Sequence, residues 1–255
     1  MHSIPQRLLR RIEMNIKVTR QGQLRKFALY KPFVRGKRGL EIGGPSDVFR
    51  KDSTLPVYEE TERVDNCDFS GATVWTEHKE EFLFNPLKAP GKTILSEGSN
   101  LIQIPDSSYD FVLSSHNLEH FANPVKALKE WQRVLKHGGA LILALPYYKE
   151  IFDHRRTPTS VEHMFEDYEK GTGEDDLTHL PEILEKHDLT MDLAAGSLDN
   201  FRKRSLENIS NRCLHHHVFD KSNSRELLSA LGFEVLSVET VVSPHILILA
   251  RMTIA

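Results

Sequence analysis

The run from Tyr109 to Tyr148, YDFVLSSHNLEHFANPVKALKEWQRVLKHGGALILALPYY, constrains the fold more than any other part of the chain. An apolar strand, an exposed loop, an amphipathic helix, a Gly-Gly stop and a second apolar strand follow one another. Two strands flanking one helix form a βαβ unit, the building block of a parallel sheet. Such sheets take ligands in the crevice beyond the carboxyl ends of their strands. Ser114, Ser115, His116 and Asn117 follow the first strand directly, so they stand at that crevice. The helix is well marked. Asn123 is placed as its N-cap and Pro124 at its first position, where a missing N–H costs nothing. Val125, Leu128, Trp131 and Leu135 recur at helical spacing and should face the sheet. Gly138-Gly139 supplies a left-handed stop.

The same alternation predicts further strands at Arg38–Ile42, Glu62–Phe69 and Thr93–Ser96, with Tyr109–Ser114 and Ala140–Leu145 as the fourth and fifth. A helix over Arg225–Leu231 is stopped by Gly232. Phe233–Val242 and His245–Thr253 then follow with only Ser243-Pro244 between them. Strands joined that tightly must be antiparallel neighbours. The expected fold is α/β: a doubly wound, mostly parallel, seven-stranded sheet closed by an antiparallel hairpin. Residues 1–37 read as a basic helical preface and 38–255 as one domain. The polar, mostly helical stretch 147–222 is inserted as a cap between the fifth and sixth strands.

The chain has 255 residues, 39% of them hydrophobic and 27% charged, enough for one large core. No apolar run reaches the roughly 18 residues that span a bilayer, and no signal-peptide core opens the chain. Cys67 and Cys213 lie far apart without a CxxC partner, as expected of unpaired thiols in a reducing cytoplasm. Net charge is −3, unevenly spread: residues 1–38 carry eleven Lys or Arg against one acid, Glu13. This basic arm could meet an anionic surface, or lie back on the acidic body. It lacks the interleaved aromatics of single-strand binders, which argues against nucleic acid as a partner.

The first turn, Leu40-Glu41-Ile42-Gly43, the turn-Tyr109-Asp110-strand-Leu118-Glu119-His120 pattern and the helix from Asn123 to Gly139 together resemble the class I S-adenosylmethionine-dependent methyltransferases, in particular the bacterial type 11 group. The resemblance spans about residues 38–146 and resumes at 225–253, and it implies the family's Rossmann-like methyltransferase fold. It also implies a cofactor, S-adenosylmethionine, held at the strand ends. Gly43, Gly44, Pro45 and Ser46 would receive its methionine end, organised by Glu41 beneath. The family's three-glycine turn is shortened here, and Pro45 removes one backbone donor. Asp65, 22 residues past Gly43, is the expected ribose acid, beside Asn66. Glu59 and Glu60 are weaker choices. Glu97, Gly98, Asn100 and Leu101 would line the adenine pocket, with Ser115 nearby.

Seven of the thirteen histidines fall in the cap: His154, His163, His179, His187, His215, His216 and His217. Methyl transfer to a hydroxyl needs alignment and a base, and imidazole suits the second task. His116, His154 and His216 are the candidate catalytic residues, while His120 is expected to pack. No metal is assigned, although His215 and His217 with His154 or Asp153 form an unspecific alternative. The acceptor is expected to be a small or glycan-like molecule, with Arg155, Arg156, Arg202, Arg204 and Arg212 as anion-binding capacity. The acidic run from Glu174 to Asp176 reads as a solvated turn. Two other classes stay open: a non-catalytic docking module working through the basic arm, and a metal-assisted hydrolase built on the histidine-rich cap.

Overall fold

The computed structural model describes residues 27–70, 80–241 and 244–253. Most of the basic preface therefore lies outside the described residues. Its end, 27–34, is a helix (α1) that buries Phe27, Tyr30 and Val34 and ties Lys31 to Glu60 at 2.6 Å.

The strands are β1 (Arg38–Ile42), β2 (Arg63–Asp68), β3 (Glu81–Phe82), β4 (Gly91–Leu95), β5 (Tyr109–Ser115), β6 (Leu135–Pro146), β7 (Phe233–Val241) and β8 (His245–Met252). They form one sheet in the order β3-β4-β2-β1-β5-β6-β8-β7. The pairs β1–β2, β1–β5, β2–β4 and β5–β6 are parallel, and β6–β8 and β7–β8 are antiparallel. This is the doubly wound arrangement with a terminal hairpin. One strand more is present than the seven expected. The addition, β3, is a two-residue antiparallel edge on β4, too short to leave a period in the sequence.

Side chains alternate across the strands and both faces are covered. Val112, Leu141 and Leu143 pack on one side with Trp131 and Leu128 of helix α3 (Pro124–Val134). Phe111, Leu113, Ala140 and Ile142 pack on the other with α1 and the short helix α2 (Val57–Glu60). Asn123 caps α3 by accepting from Lys126 N, and Gly138 turns at φ 71°. The register sets Ile42 beside Cys67 and beside Ser114, so β1, β2 and β5 end at one level. That common edge positions the site.

Residues 147–222 stand over this edge. They contain α4 (Val161–Lys170), α5 (Leu180–Lys186), α6 (Leu198–Leu206) and α7 (Asn208–Asn211), before α8 (Lys221–Ala230) returns to the sheet. The cap has a core of its own, formed by Leu180, Ile183, Ala195, Phe201 and Leu214. Buried Arg156 holds the returning chain by donating to His215 O at 2.7 Å and His216 O at 3.1 Å.

Candidate functional site: a cavity between the strand ends and the cap

A cavity of about 650 Å³ opens where β1, β2, β4, β5 and β6 end, with the cap as its other wall. Its sheet side begins at the first turn. Gly43 has φ 75°, in the left-handed region that glycine enters freely, and that backbone angle is what the corner requires. Beneath it, Glu41 Oε1 accepts from Ser46 N at 3.1 Å and Ser46 Oγ at 2.6 Å, while Oε2 accepts from the Tyr58 hydroxyl at 2.6 Å. Burial raises the Glu41 pKa to about 7 against the pull of these donors. Glu41 thus shapes the turn from below and does not line the cavity, and the same holds for Gly44.

Asn66 joins two parts of this wall. Its Oδ1 accepts from Gly44 N at 2.9 Å and its Nδ2 donates to Asp68 Oδ2 at 2.8 Å. Asp68 and Phe69, at the carboxyl end of β2, face the cavity. Asp65 does not. It sits one strand turn earlier, accepting from Arg63 Nε, Lys92 N and the Tyr109 hydroxyl. The acid at the strand's end is Asp68, and the sequence offset from Gly43 pointed three residues short of it. Glu59 and Glu60 are engaged elsewhere, with Asn85 and Lys31.

Glu97 and Gly98 line the cavity as expected, but Glu97 is paired with Arg212 of the cap, whose guanidinium lies 5.2 Å from the centre of the Phe69 ring. Leu101 is wholly buried, with its N–H donated to Glu130, and exposed Asn100 lies outside the cavity wall. Pro45, Ser46 and Ser115 are on the wall.

The rest of the wall is built from histidines and carboxylates. His116 follows β5 with φ 47°, and its Nε2 lies 2.6 Å from His245 Nδ1. Burial and the neighbouring His245 lower its pKa to about 3, so it faces the cavity neutral and too weakly basic to take a proton near neutrality. His215 is the better placed imidazole. Its Nδ1 lies 2.5 Å from Asp153 Oδ2, and its ring packs edge-on against His120 and at a tilt against Phe152. Burial favours the neutral ring, but the Asp153 carboxylate outweighs it and raises the His215 pKa above the ordinary value. His215 and Arg156 in turn hold Asp153 at about 2 despite its burial.

His154 and His216 are not on the wall. His154 lies at the cap surface, 2.9 Å from Asp188. His216 is wholly buried behind the cavity, its Nε2 3.1 Å from Asn208 Nδ2. In the run His215-His216-His217 only the first residue reaches the cavity. His217 turns away to Ala122 O at 3.2 Å, which dissolves the expected grouping of His215 with His217. Of the five arginines, Arg204 and Arg212 line the cavity; Arg155 is held by Asp188 and Arg156 by Asp153.

Two acids escaped the sequence reading. Glu119 lies on the wall, 1% exposed, with neither carboxylate oxygen in a hydrogen bond, and burial raises its pKa to about 7. Glu174, expected in a solvated turn, also lines the cavity; its pKa rises to about 7 by burial, and it accepts from Ala122 N. Only their place on the cavity wall, a tertiary property, marks them. Glu119, His120 and His215 bring ligand atoms within 4.8 Å of one another, a set able to hold a divalent cation. Cys67 on the sheet side and Cys213 on the cap side are free thiols lining the cavity.

Residues 54–143 match the family described as "Methyltransferase domain". No curated protein matches the chain. Among solved structures, a putative methyltransferase from Bacillus halodurans superposes with a TM-score of 0.51 at 13% identity, covering 91% of this chain and 99% of that one. An S-adenosylmethionine-dependent methyltransferase from Mesorhizobium loti gives 0.51 at 16% identity, covering 89% and 95%. At these identities the likeness carries the fold. Among the described residues, no helix is long and apolar enough to cross a membrane. Residues 54–143 thus match a methyltransferase domain, and the fold around them is shared with these methyltransferases of known structure.

Proposed function

We propose that the chain methylates a hydroxyl of a small or glycan-like acceptor seated between the strand ends and the cap. The observation that carries this reading is His215 on the cavity wall, paired with buried Asp153 behind it. In the same reading, Asp68 accepts from both ribose hydroxyls, in the role the sequence had suggested for Asp65. The Gly43 corner and Ser46 receive the methionine end, and Phe69, Glu97 and Gly98 flank the adenine.

When bound, S-adenosylmethionine supplies a methyl group on a sulfonium, open to in-line displacement by an acceptor oxygen. The chain has to align that oxygen and take its proton. Asp153 fixes the His215 tautomer by accepting from Nδ1–H, which leaves Nε2 as the proton-taking atom. The carboxylate also stabilises the imidazolium that results, as expected for an orienting acid behind a base. Neutral His116 contributes a contact to the acceptor without titrating. Asn117 and the cap close the space around the reacting atoms.

The test is an acceptor screen following release of S-adenosylhomocysteine from nucleotide sugars, lipids and small hydroxy acids. Turnover of a hydroxyl compound by the wild type but not by His215→Ala supports the reading. Turnover confined to amines or thiols, or unaffected by His215→Ala, overturns it.

A further inference from the structure

Behind the cavity, a second group of histidines converges on a carboxylate. Helix α4 presents His163 and Asp167 four residues apart, on one face. His179 stands at the N-terminal end of α5. His163 Nε2 lies 3.2 Å from His179 Nε2 and 3.4 Å from Asp167 Oδ2. All three ligand atoms fall within 4.8 Å of one another. None of these residues lines the cavity.

Two features of this group call for a ligand. Asp167 is only 5% exposed; its Oδ1 accepts from Thr172 Oγ1 at 3.0 Å, but its Oδ2 accepts no hydrogen bond. A buried carboxylate oxygen left this way is costly unless something cationic faces it. The two imidazole nitrogens, meanwhile, face each other across a gap that suits a shared ion. Tetrahedral bonds of about 2.0–2.1 Å separate neighbouring ligand atoms by roughly 3.3 Å, close to both measured separations.

We propose that His163, Asp167 and His179 bind one divalent ion of the zinc type, clamping α4 to α5 within the cap. Two imidazoles and one carboxylate select zinc over magnesium or calcium, which prefer oxygen ligands. His163 is partly exposed, giving an entry path and a fourth position open to water. The clamp joins the two ends of the segment 171–178, and that segment carries Glu174 to the cavity wall. The ion therefore braces one wall of the acceptor space from outside it. This site goes beyond the methyltransferase reading and does not rest on it.

The test uses the full chain, stripped with chelator, reloaded with zinc chloride and desalted before metal analysis. One zinc per chain is expected, with a rise in melting temperature, and cobalt in its place should give the visible absorption of a tetrahedral site. Both signals should vanish in His163→Ala/His179→Ala. Asp167→Asn, which keeps the side-chain shape, should weaken zinc binding at least tenfold should the double variant fold poorly. A Glu119→Gln/His215→Ala variant should retain the metal. Failure of the wild type to hold zinc, retention by the first two variants, or loss only in the last overturns the proposal.

Discussion

The two walls of the cavity are built differently. The sheet wall is backbone-led: the Gly43 corner, strand ends held in register, and side chains such as Glu41 and Asn66 that act by fixing main-chain N–H groups. The cap wall is side-chain-led, its chemistry coming from His215, backed by Asp153, and from Glu174, on segments with no shared ladder. A strand end is a position any sequence of the fold must provide. A histidine on a cap is a choice this chain has made, so the first wall should serve the cofactor and the second the acceptor.

That division can be broken by mutation. The largest effect is expected on the cap wall. His215→Ala should lower kcat about 10²–10⁴-fold while leaving S-adenosylhomocysteine affinity within a factor of two, measured by turnover and calorimetry. A matching loss of cofactor affinity would show the walls are not separate. Next, Asp68→Ala should weaken S-adenosylhomocysteine binding about 10–100-fold, the size of charge-assisted hydrogen bonds removed, whereas Asp65→Ala should lower only the melting temperature. The reverse pattern would restore Asp65 as the ribose acid.

A smaller effect concerns pH. Because Asp153 raises the His215 pKa, turnover should increase as pH rises through that raised value, where the imidazole becomes neutral. In Asp153→Asn the midpoint should move to lower pH, a shift read from the kcat–pH profile. Smallest is a stability slope on the sheet wall. Glu41 has a folded pKa near 7, above its ordinary 4.5, so the folded state holds its proton longer than the unfolded one. Its contribution is complete below pH 4.5 and declines as pH rises towards 7, by up to about 1.4 kcal/mol per pH unit. Against Glu41→Gln, the wild type should lose relative stability across that window in melting curves.

The contrast also explains what could be read in advance. Helix α3 announced itself because Asn123 and Pro124 each have a local task and Trp131 and Leu128 repeat at its period; it ends at Val134, before the Gly138-Gly139 pair expected to stop it and with Leu135 already in β6. The corner at Gly43 was legible for the same reason. Asp65 misled because a count of residues stood in for the strand's true end, which β2 reaches at Asp68. His216 and His154 misled because composition marks a histidine-rich segment without saying which ring faces inward. That depended on Arg156 holding the returning chain by two carbonyls, a contact 59 and 60 residues apart in sequence. Glu174 looked solvated for lack of any sign that its loop folds back over the strand ends.

The amide of Asn66 has a direction. One end accepts from the corner and the other donates to Asp68, so only one orientation satisfies both. An aspartate there would set two like charges face to face, and a leucine would leave both neighbours unanswered. Like a keyed plug, the residue keeps the spacing between corner and acid constant, and any molecule that bridges them meets a gap measured out beforehand.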